Sequence, residues 1–217
     1  MPPKNEANVH IPGFFIKPIS FKIHQEKLQN PRHNAYICSR ANLFFSMDTI
    51  LASIHSLRQR TVAFTGHRSY RAQADDELRA VVRDLVGQGF TRFLCGMAWG
   101  FDLAAGSVVA QLKREYPQIE LVAVEPYGDF RSLFSGEDGE LYDRVLTAAS
   151  ERVVVGDEQG AAAYMRRNDY LVDNAFVVVA WCDGRGRGGT TYTVERARKS
   201  RVEVINLYPE AQLEFKF

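Results

Sequence analysis

The sequence predicts an α/β fold: a parallel sheet with helices on both of its faces. Two observations lead to this prediction. From residue 61 onward, short apolar runs alternate with segments of helical periodicity. In addition, three of the four turns that follow the apolar runs are rich in glycine or basic residues, whereas the turns that precede them are ordinary. Strands that alternate with helices form parallel sheets through right-handed crossovers, which place helices on both faces.

Each element has its own signal in the sequence. The apolar run at 61–65 ends at Gly66, as a buried strand does. Residues 74–86 place Leu78, Val82 and Leu85 on one helical face and carry acidic residues in the first turn, where they complement the helix dipole. The alternation then continues with strands at 92–95, 119–124, 152–155, 176–181 and 202–207 and helices at 102–116, 139–149, 161–174 and 193–199.

The first 46 residues differ from the remainder of the chain. They hold five prolines and scattered aromatic residues without a sustained period. We interpret residues 1–46 as an irregular N-terminal extension, a disordered tail or the product of an early start codon with Met47 as the natural first residue, in preference to a docking arm. Residues 47–217 then form the folded domain, which begins with a short helix or turn at 47–60.

Composition narrows the classes of function. The net charge of +1 implies no general affinity for polyanions, so nucleic acid is not expected as a partner. The three cysteines, Cys38, Cys95 and Cys182, have no spacing typical of a disulfide framework, which favours a cytoplasmic protein. They also lack metal-ligand spacing, so no metal site is predicted. No bound cofactor is expected either. No apolar run approaches the roughly 20 residues that span a bilayer, and no secretory signal is evident, so no membrane partner is expected.

The most informative segment is the glycine-rich turn at 183–192, which follows an apolar strand and precedes a helix. Backbone N–H groups at a helix N-terminus bind anions, and glycine allows a ligand to approach the backbone. Arg185 and Arg187 add charge and planar donors that suit phosphate. The alternative interpretation is a flexible surface loop.

Three other turns follow strands at the same edge. Arg68, beside Gly66, suits a phosphate, whereas Asp102 is either a ligand-binding acid or a plain helix cap. Met97 would stack on a base or simply pack, and Glu125 would bind ribose hydroxyls in the crevice. Neither G-x-G-x-x-G nor the P-loop pattern is present.

These turns together resemble a known family. Residues 65–68 (TGHR), 96–102 (GMAWGFD), Arg167-Asn168, and Asp183-Gly184 with 188–190 (GGT) occur in the order seen in the YpsA-like family of the SLOG (Smf/DprA–LOG) superfamily. The resemblance covers residues 61–207. It implies a Rossmann-like fold and, as ligand, a nucleotide or a nucleotide-derived molecule such as an ADP-ribose-like compound. Because LOG-type relatives are often oligomeric, it also leaves a homo-oligomer open.

The turns and the resemblance together predict the ligand-binding residues, while no catalytic residue is assigned. The predicted residues are Gly66, His67, Arg68, Gly96, Met97, Gly100, Asp102, Glu125, Arg167, Asn168, Asp183, Arg185, Arg187, Gly188, Gly189, Thr190 and Thr191.

Three functions follow from the resemblance. The first is a cytoplasmic nucleotide- or nucleotide-derivative-binding domain that acts as a sensor or regulator. The second is cleavage of a nucleotide N-glycosidic bond, as in the LOG branch. That branch has an acid three residues after the threonine of its glycine turn, whereas Glu195 here falls five residues after Thr190, about 200° further around the helix. The third is binding of single-stranded DNA, as in the DprA branch. We expect the first, and we expect binding without catalysis.

Overall fold

Residues 49–209 are described by the structure, which is a computed structural model. Residues 49–58 are helical (α1), which agrees with the expected short helix. The elements that follow are β1 (Thr61–Gly66), α2 (Asp75–Gly87), β2 (Arg92–Cys95), α3 (Phe101–Leu112), β3 (Glu120–Glu125), a 3-10 turn (Phe130–Leu133), α4 (Gly136–Ala148), β4 (Glu151–Val154), α5 (Ala161–Asp173), β5 (Val177–Trp181), α6 (Gly189–Lys199) and β6 (Glu203–Asn206). The extension predicted at residues 1–46 lies outside the described residues.

The six strands form one parallel sheet in the order β4-β3-β2-β1-β5-β6. The predicted α/β fold is therefore confirmed. The chain first moves outward from β1 through β2 and β3 to β4, and then returns to place β5 on the other side of β1. Strand order reverses between β1 and β5, and ligands of open parallel sheets bind beyond the strand ends at such a point.

The two faces of the sheet bury different side chains because successive residues of a strand point to opposite faces. Val62 and Phe64 of β1 belong to the larger core, which includes residues of α2, α3 and α4. Ala63, between them in sequence, belongs to a second core with Leu171 of α5 and Ala197 of α6. All six residues of β1 are buried, as a central strand covered on both faces requires.

Some boundaries differ from the sequence prediction. Helix α6 begins at Gly189 instead of residue 193, because Gly189 and residues 190–192, which were predicted as turn, already adopt helical geometry. Helix α4 begins three residues earlier than predicted, at Gly136, and α3 ends at Leu112 instead of residue 116. The 3-10 turn was not predicted, since four residues are too few to show a period.

Candidate functional site

A cleft of about 480 Å³ opens at the point where strand order reverses. The loop after β1, the start of α6 and one face of α5 form its walls. Its position and size suit a small ligand. Nine of the residues predicted from sequence line it: Gly66, His67, Arg68, Asp102, Arg167, Asn168, Gly188, Gly189 and Thr190.

A second, larger groove of about 790 Å³ lies along α2, α3 and the start of α4. Charges of both signs line it, among them Arg79, Glu137 and Asp138. Residues 70–72 of the loop after β1 also line it, but none of its lining residues comes from β5, α5 or α6. We therefore place the candidate site in the smaller cleft, where the fold itself gathers backbone donors.

The N-terminus of α6 opens into the cleft. Gly188 precedes the helix in an extended conformation (φ −159°, ψ 172°), and a Cβ at this position would meet no described atom within 4 Å. At Gly189 a Cβ would lie 3.3 Å from the amide nitrogen of Asn168. That nitrogen donates to the carbonyl of Gly189 at 3.4 Å and so connects α5 to the first turn of α6. The helix therefore presents its first N–H groups and the positive end of its dipole to open space.

A buried ion pair supports the opposite wall. The guanidinium of Arg167 lies 3.4 Å from the carboxylate of Asp102, and both side chains are more than 90% buried. Arg167 also donates to the carbonyl of Gly96. The backbone N–H groups of Gly66 and Ala98 donate to the same carboxylate. Asp102 thus joins the turns after β1 and β2 to α5, and its oxygens are already engaged.

Burial shifts the ionisation of both partners. Loss of solvent raises the pKa of Asp102 to about 6, although Arg167 and the two backbone donors act in the other direction. Loss of solvent also lowers the pKa of Arg167, which the negative charge of Asp102 opposes. The pair contributes little net charge to the cleft while Asp102 is ionised.

Three predicted residues hold the site together without lining it. A Cβ on Gly100, where φ is +76°, would lie 2.6 Å from the carbonyl oxygen of His67, so the two turns pack directly against each other. A Cβ on Gly96 would collide with the guanidinium of Arg167. Met97 is fully buried with φ of +59°, and it packs in the core.

Aromatic rings flank the exposed Arg68. Its guanidinium lies 5.1 Å from the ring centre of Trp99 and 5.9 Å from that of Tyr164. Cation–π attraction therefore restrains the guanidinium beside the cleft. Tyr164 lines the cleft and was not predicted from sequence, although its position three and four residues before Arg167 and Asn168 puts all three on one face of α5. The other lining residues that sequence reasoning missed are Thr65, Ser69 and Ala98.

The loop before α6 folds back on the turn after β1. The carboxylate oxygen Oδ1 of Asp183 lies 2.9 Å from Nε2 of His67 and also accepts a hydrogen bond from the backbone N–H of Arg185 at 2.9 Å. The hydrogen bond from the backbone of Arg185 is the main cause that lowers the pKa of Asp183. The interaction with His67 lowers it further. The structure does not bring Arg185, Arg187 or Thr191 to the lining of the cleft.

Glu125 is placed differently from the other predicted residues. It is fully buried and does not line the cleft. The hydroxyl of Tyr142 donates to its Oε1, and Arg152 donates to its Oε2 from two nitrogens at 2.8 and 2.6 Å. Burial, followed by this bond to Glu125, raises the pKa of Tyr142. The side chain of Glu125 therefore anchors α4 and β4 to the end of β3.

The chain is similar in sequence to known bacterial proteins. The chain is 29% identical over 154 residues to the SPbeta prophage-derived protein YoqJ of Bacillus subtilis, which covers 64% of this chain and 90% of YoqJ. It is 26% identical over 165 residues to a UPF0398 protein of Listeria monocytogenes, covering 70% of this chain and 90% of that protein.

Solved structures show a similar fold. DNA processing protein A (DprA) of Streptococcus pneumoniae matches with a TM-score of 0.51 and 20% identity, over 69% of this chain and 50% of that one. DprA of Helicobacter pylori, which has a single-stranded DNA binding mode, matches with a TM-score of 0.49 and 15% identity, over 71% of this chain and 67% of that one. At these identities the likeness concerns the fold.

Within residues 49–209, no helix combines the length and the apolar character that crossing a membrane requires.

The model of the YspA SLOG family matches residues 62–216, more than half of the chain, and this span contains every residue of the cleft. The chain belongs to the YspA SLOG family, which confirms the resemblance carried by its glycine-rich turns.

Proposed function

We propose that this domain binds a nucleotide or nucleotide-derived molecule, of the ADP-ribose class, and acts as a cytoplasmic sensor or regulatory module. The observation that carries the proposal is the start of α6, where Gly188 and Gly189 open into the cleft at the switch point. An extended glycine followed by free helical N–H groups is an arrangement that accepts a phosphate without steric conflict.

The charges around the cleft support an anionic ligand. Arg68 is exposed at its rim, while Arg167 is already balanced by Asp102. The helix dipole of α6 adds a partial positive charge on the same side. A phosphate that contacts α6 and Arg68 together would meet donors from two walls, and the volume of about 480 Å³ leaves room for a sugar or a base.

Binding is favoured over hydrolysis of a glycosidic bond. Among the described residues that line the cleft, the one carboxylate is that of Asp102, and its oxygens already accept bonds from Gly66, Ala98 and Arg167. A carboxylate that must activate water or stabilise a cationic sugar needs a free oxygen within reach of the substrate. Glu125 meets neither condition, because it is buried outside the cleft.

Single-stranded nucleic acid is the second candidate ligand. It is favoured by one observation: the exposed Arg68 lies beside the half-buried rings of Trp99 and Tyr164, and arginine with aromatic rings is a combination that holds unpaired bases. This candidate departs from the expectation drawn from the near-neutral net charge. We rank it second because the cleft is small and the donors at α6 suit a single phosphate group.

The test is a thermal-shift comparison of AMP, ADP-ribose, NAD and ribose 5-phosphate with adenosine, which lacks a phosphate. A ligand at 100 times its Kd adds about 2.7 kcal/mol to the free energy of unfolding. We expect phosphate-bearing ligands to raise the melting temperature and adenosine not to. Equal shifts with adenosine and AMP would contradict the assignment of the phosphate to α6.

Gly188→Val locates the binding site. The change directs a side chain into open space, so the fold should tolerate it while the phosphate position is blocked. Gly128→Val is the matched control, because Gly128 is exposed, also has free space at its Cβ, and lies outside the cleft. We expect the ligand shift to disappear in the first variant and to persist in the second. Salt-dependent retention on single-stranded DNA that survives Gly188→Val would favour the second candidate.

A further inference from the structure

Three different metal-ligating side chains meet beside the cleft. They are His67, from the turn after β1, and Cys182 and Asp183, from the turn after β5. Their donor atoms, an imidazole nitrogen, the sulfur and a carboxylate oxygen, all lie within 4.8 Å of one another. The linear sequence conceals this group, since His67 and Asp183 are 116 positions apart.

The backbone holds the three residues in place. The N–H of His67 donates to the carbonyl of Trp181 at 3.2 Å, which extends the pairing of β1 with β5 by one residue. Asn206, at the end of β6, accepts from the N–H of Cys182 at 3.1 Å and donates to its carbonyl at 2.8 Å. Two of the three ligands are therefore fixed by strands, which position side chains more firmly than loops do.

We propose that His67, Cys182 and Asp183 form a binding site for a divalent metal ion of the zinc class. Zinc accepts this mixture of thiolate, imidazole and carboxylate, and three protein ligands leave a fourth position for water or for an oxygen of a bound molecule. Calcium and magnesium fit less well because they prefer oxygen ligands alone.

The distances require a small adjustment. In a tetrahedral zinc site, bond lengths of about 2.0–2.3 Å place neighbouring ligand atoms roughly 3.3–3.8 Å apart. The separation between His67 and Asp183 is 2.9 Å and no separation exceeds 4.8 Å, so shifts of about 1 Å suffice. The ion also takes the place of the hydrogen bond from the N–H of Asp183 to Nε2 of His67. The side chains of His67 and Asp183 are 25% and 28% exposed, which gives the ion a route to the buried sulfur of Cys182.

The site adjoins the cleft, since His67 also lines it. An ion held there would lie beside the cleft to which the start of α6 also contributes. The metal site itself stands on the three side chains and does not depend on which molecule the cleft binds.

Cobalt provides the first test, because Co²⁺ replaces zinc in such sites and absorbs light. We expect titration of the chelator-treated full chain to give one Co²⁺ per chain, a thiolate-to-cobalt charge-transfer band and strong visible bands of a four-coordinate ion. Cys182→Ser should abolish the charge-transfer band, and Asp183→Asn should weaken binding at least about tenfold. Cys38→Ser, which removes a thiol elsewhere in the chain, is the matched control and should leave the spectrum unchanged.

X-ray absorption of the zinc-loaded, unsubstituted chain gives a second test that does not depend on a variant remaining folded. We expect one sulfur at about 2.3 Å and nitrogen or oxygen at about 2.0–2.2 Å. The proposal is overturned if zinc shows no sulfur neighbour or more than one, or if the cobalt charge-transfer band survives Cys182→Ser.

Discussion

Asp102 and Arg167 are the two residues on which the geometry of the cleft most depends. A buried ion pair adds little to stability on balance, because desolvation of both charges offsets their attraction. The ion pair matters here because it positions the elements around the cleft. Through Gly66, Ala98 and Arg167, the carboxylate holds together two turns and a helix that are distant in sequence. Loss of either partner would leave the other charge buried and unpaired.

Protonation of Asp102 should make the stability of the domain depend on pH. Its pKa rises from 3.8 to about 6 on folding, so the folded state holds a proton between pH 4 and 6 that the unfolded state releases. The stability that this protonated carboxyl contributes is complete below pH 4 and is lost as the pH rises to about 6, by up to about 3 kcal/mol. Denaturant unfolding of the natural chain and of Asp102→Asn across pH 4–7 measures the effect.

The comparison with asparagine isolates the carboxyl group, since the amide does not titrate. We expect the free energy of unfolding of the natural chain, relative to the variant, to fall between pH 4 and 6 and then to level off. A difference that is constant, or that grows with pH, would show that Arg167 and the backbone donors outweigh burial.

At the scale of elements, the loop between β5 and α6 determines where the first N–H groups of α6 point. Gly184 and Gly186 adopt φ of +69° and +75°, and a Cβ at either position would meet no described atom within 4 Å. Glycine is therefore required there for the backbone conformation alone. A substitution at Gly184 or Gly186 therefore strains the backbone without causing a steric collision.

Gly186→Ala should consequently destabilise the fold by about 1 kcal/mol and weaken binding of the phosphate-bearing ligand by about tenfold, because a strained loop displaces the start of α6. Gly89→Ala is the matched control: Gly89 has φ of +97° and equal free space, but it follows α2 at the opposite edge of the sheet. Chemical unfolding and calorimetric titration measure the two effects. Equal loss of affinity in both variants would mean that general destabilisation, and not the loop, is responsible.

The elements themselves were accessible from sequence. Strands such as 61–65 and helices such as 74–86 show clear periods that match the structure to within one or two residues. The start of α6 was missed because glycine signals a turn in sequence, yet Gly189 lies within the helix. Helix boundaries at glycines depend on tertiary contacts, here on the bond from Asn168 to the carbonyl of Gly189, which no local pattern records.

For the molecule as a whole, the position of the cleft could be predicted, whereas the roles of single side chains could not. Turns that follow parallel strands share one edge of the sheet, so Gly66 and Gly188 were predicted to lie together, and the family resemblance added Asn168 of α5. Glu125 ends a strand at the same edge but points into the interior toward Tyr142. The meeting of His67 with Cys182 requires the pairing of β1 and β5, which sequence alone does not specify.

The positions of the acidic side chains relative to the cleft lead to the last prediction, which concerns catalysis. Cleavage of AMP in the manner of the LOG branch needs a carboxylate on the cleft side of α6. Glu195 is exposed on α6 and lines a separate shallow groove with Tyr192 and Lys199. Because acid catalysis depends on geometry before pKa, we expect purified protein to release little or no adenine from AMP during long incubation, measured by chromatography.

Two variants would identify the carboxylate responsible for any release of adenine. Adenine release that is abolished by Glu195→Ala would show that α6 turns or moves to bring Glu195 to the substrate, and the protein would then be an enzyme of the LOG type. Release that is abolished by Asp102→Asn, with Glu195→Ala still active and AMP still bound by the Asp102→Asn variant, would assign the reaction to the buried carboxylate. That carboxylate must then exchange a bond to Gly66, Ala98 or Arg167 for one to the substrate. Breaking such a buried bond leaves a donor unpaired at a cost of about 1–3 kcal/mol, and for this reason we expect the ligand to bind intact.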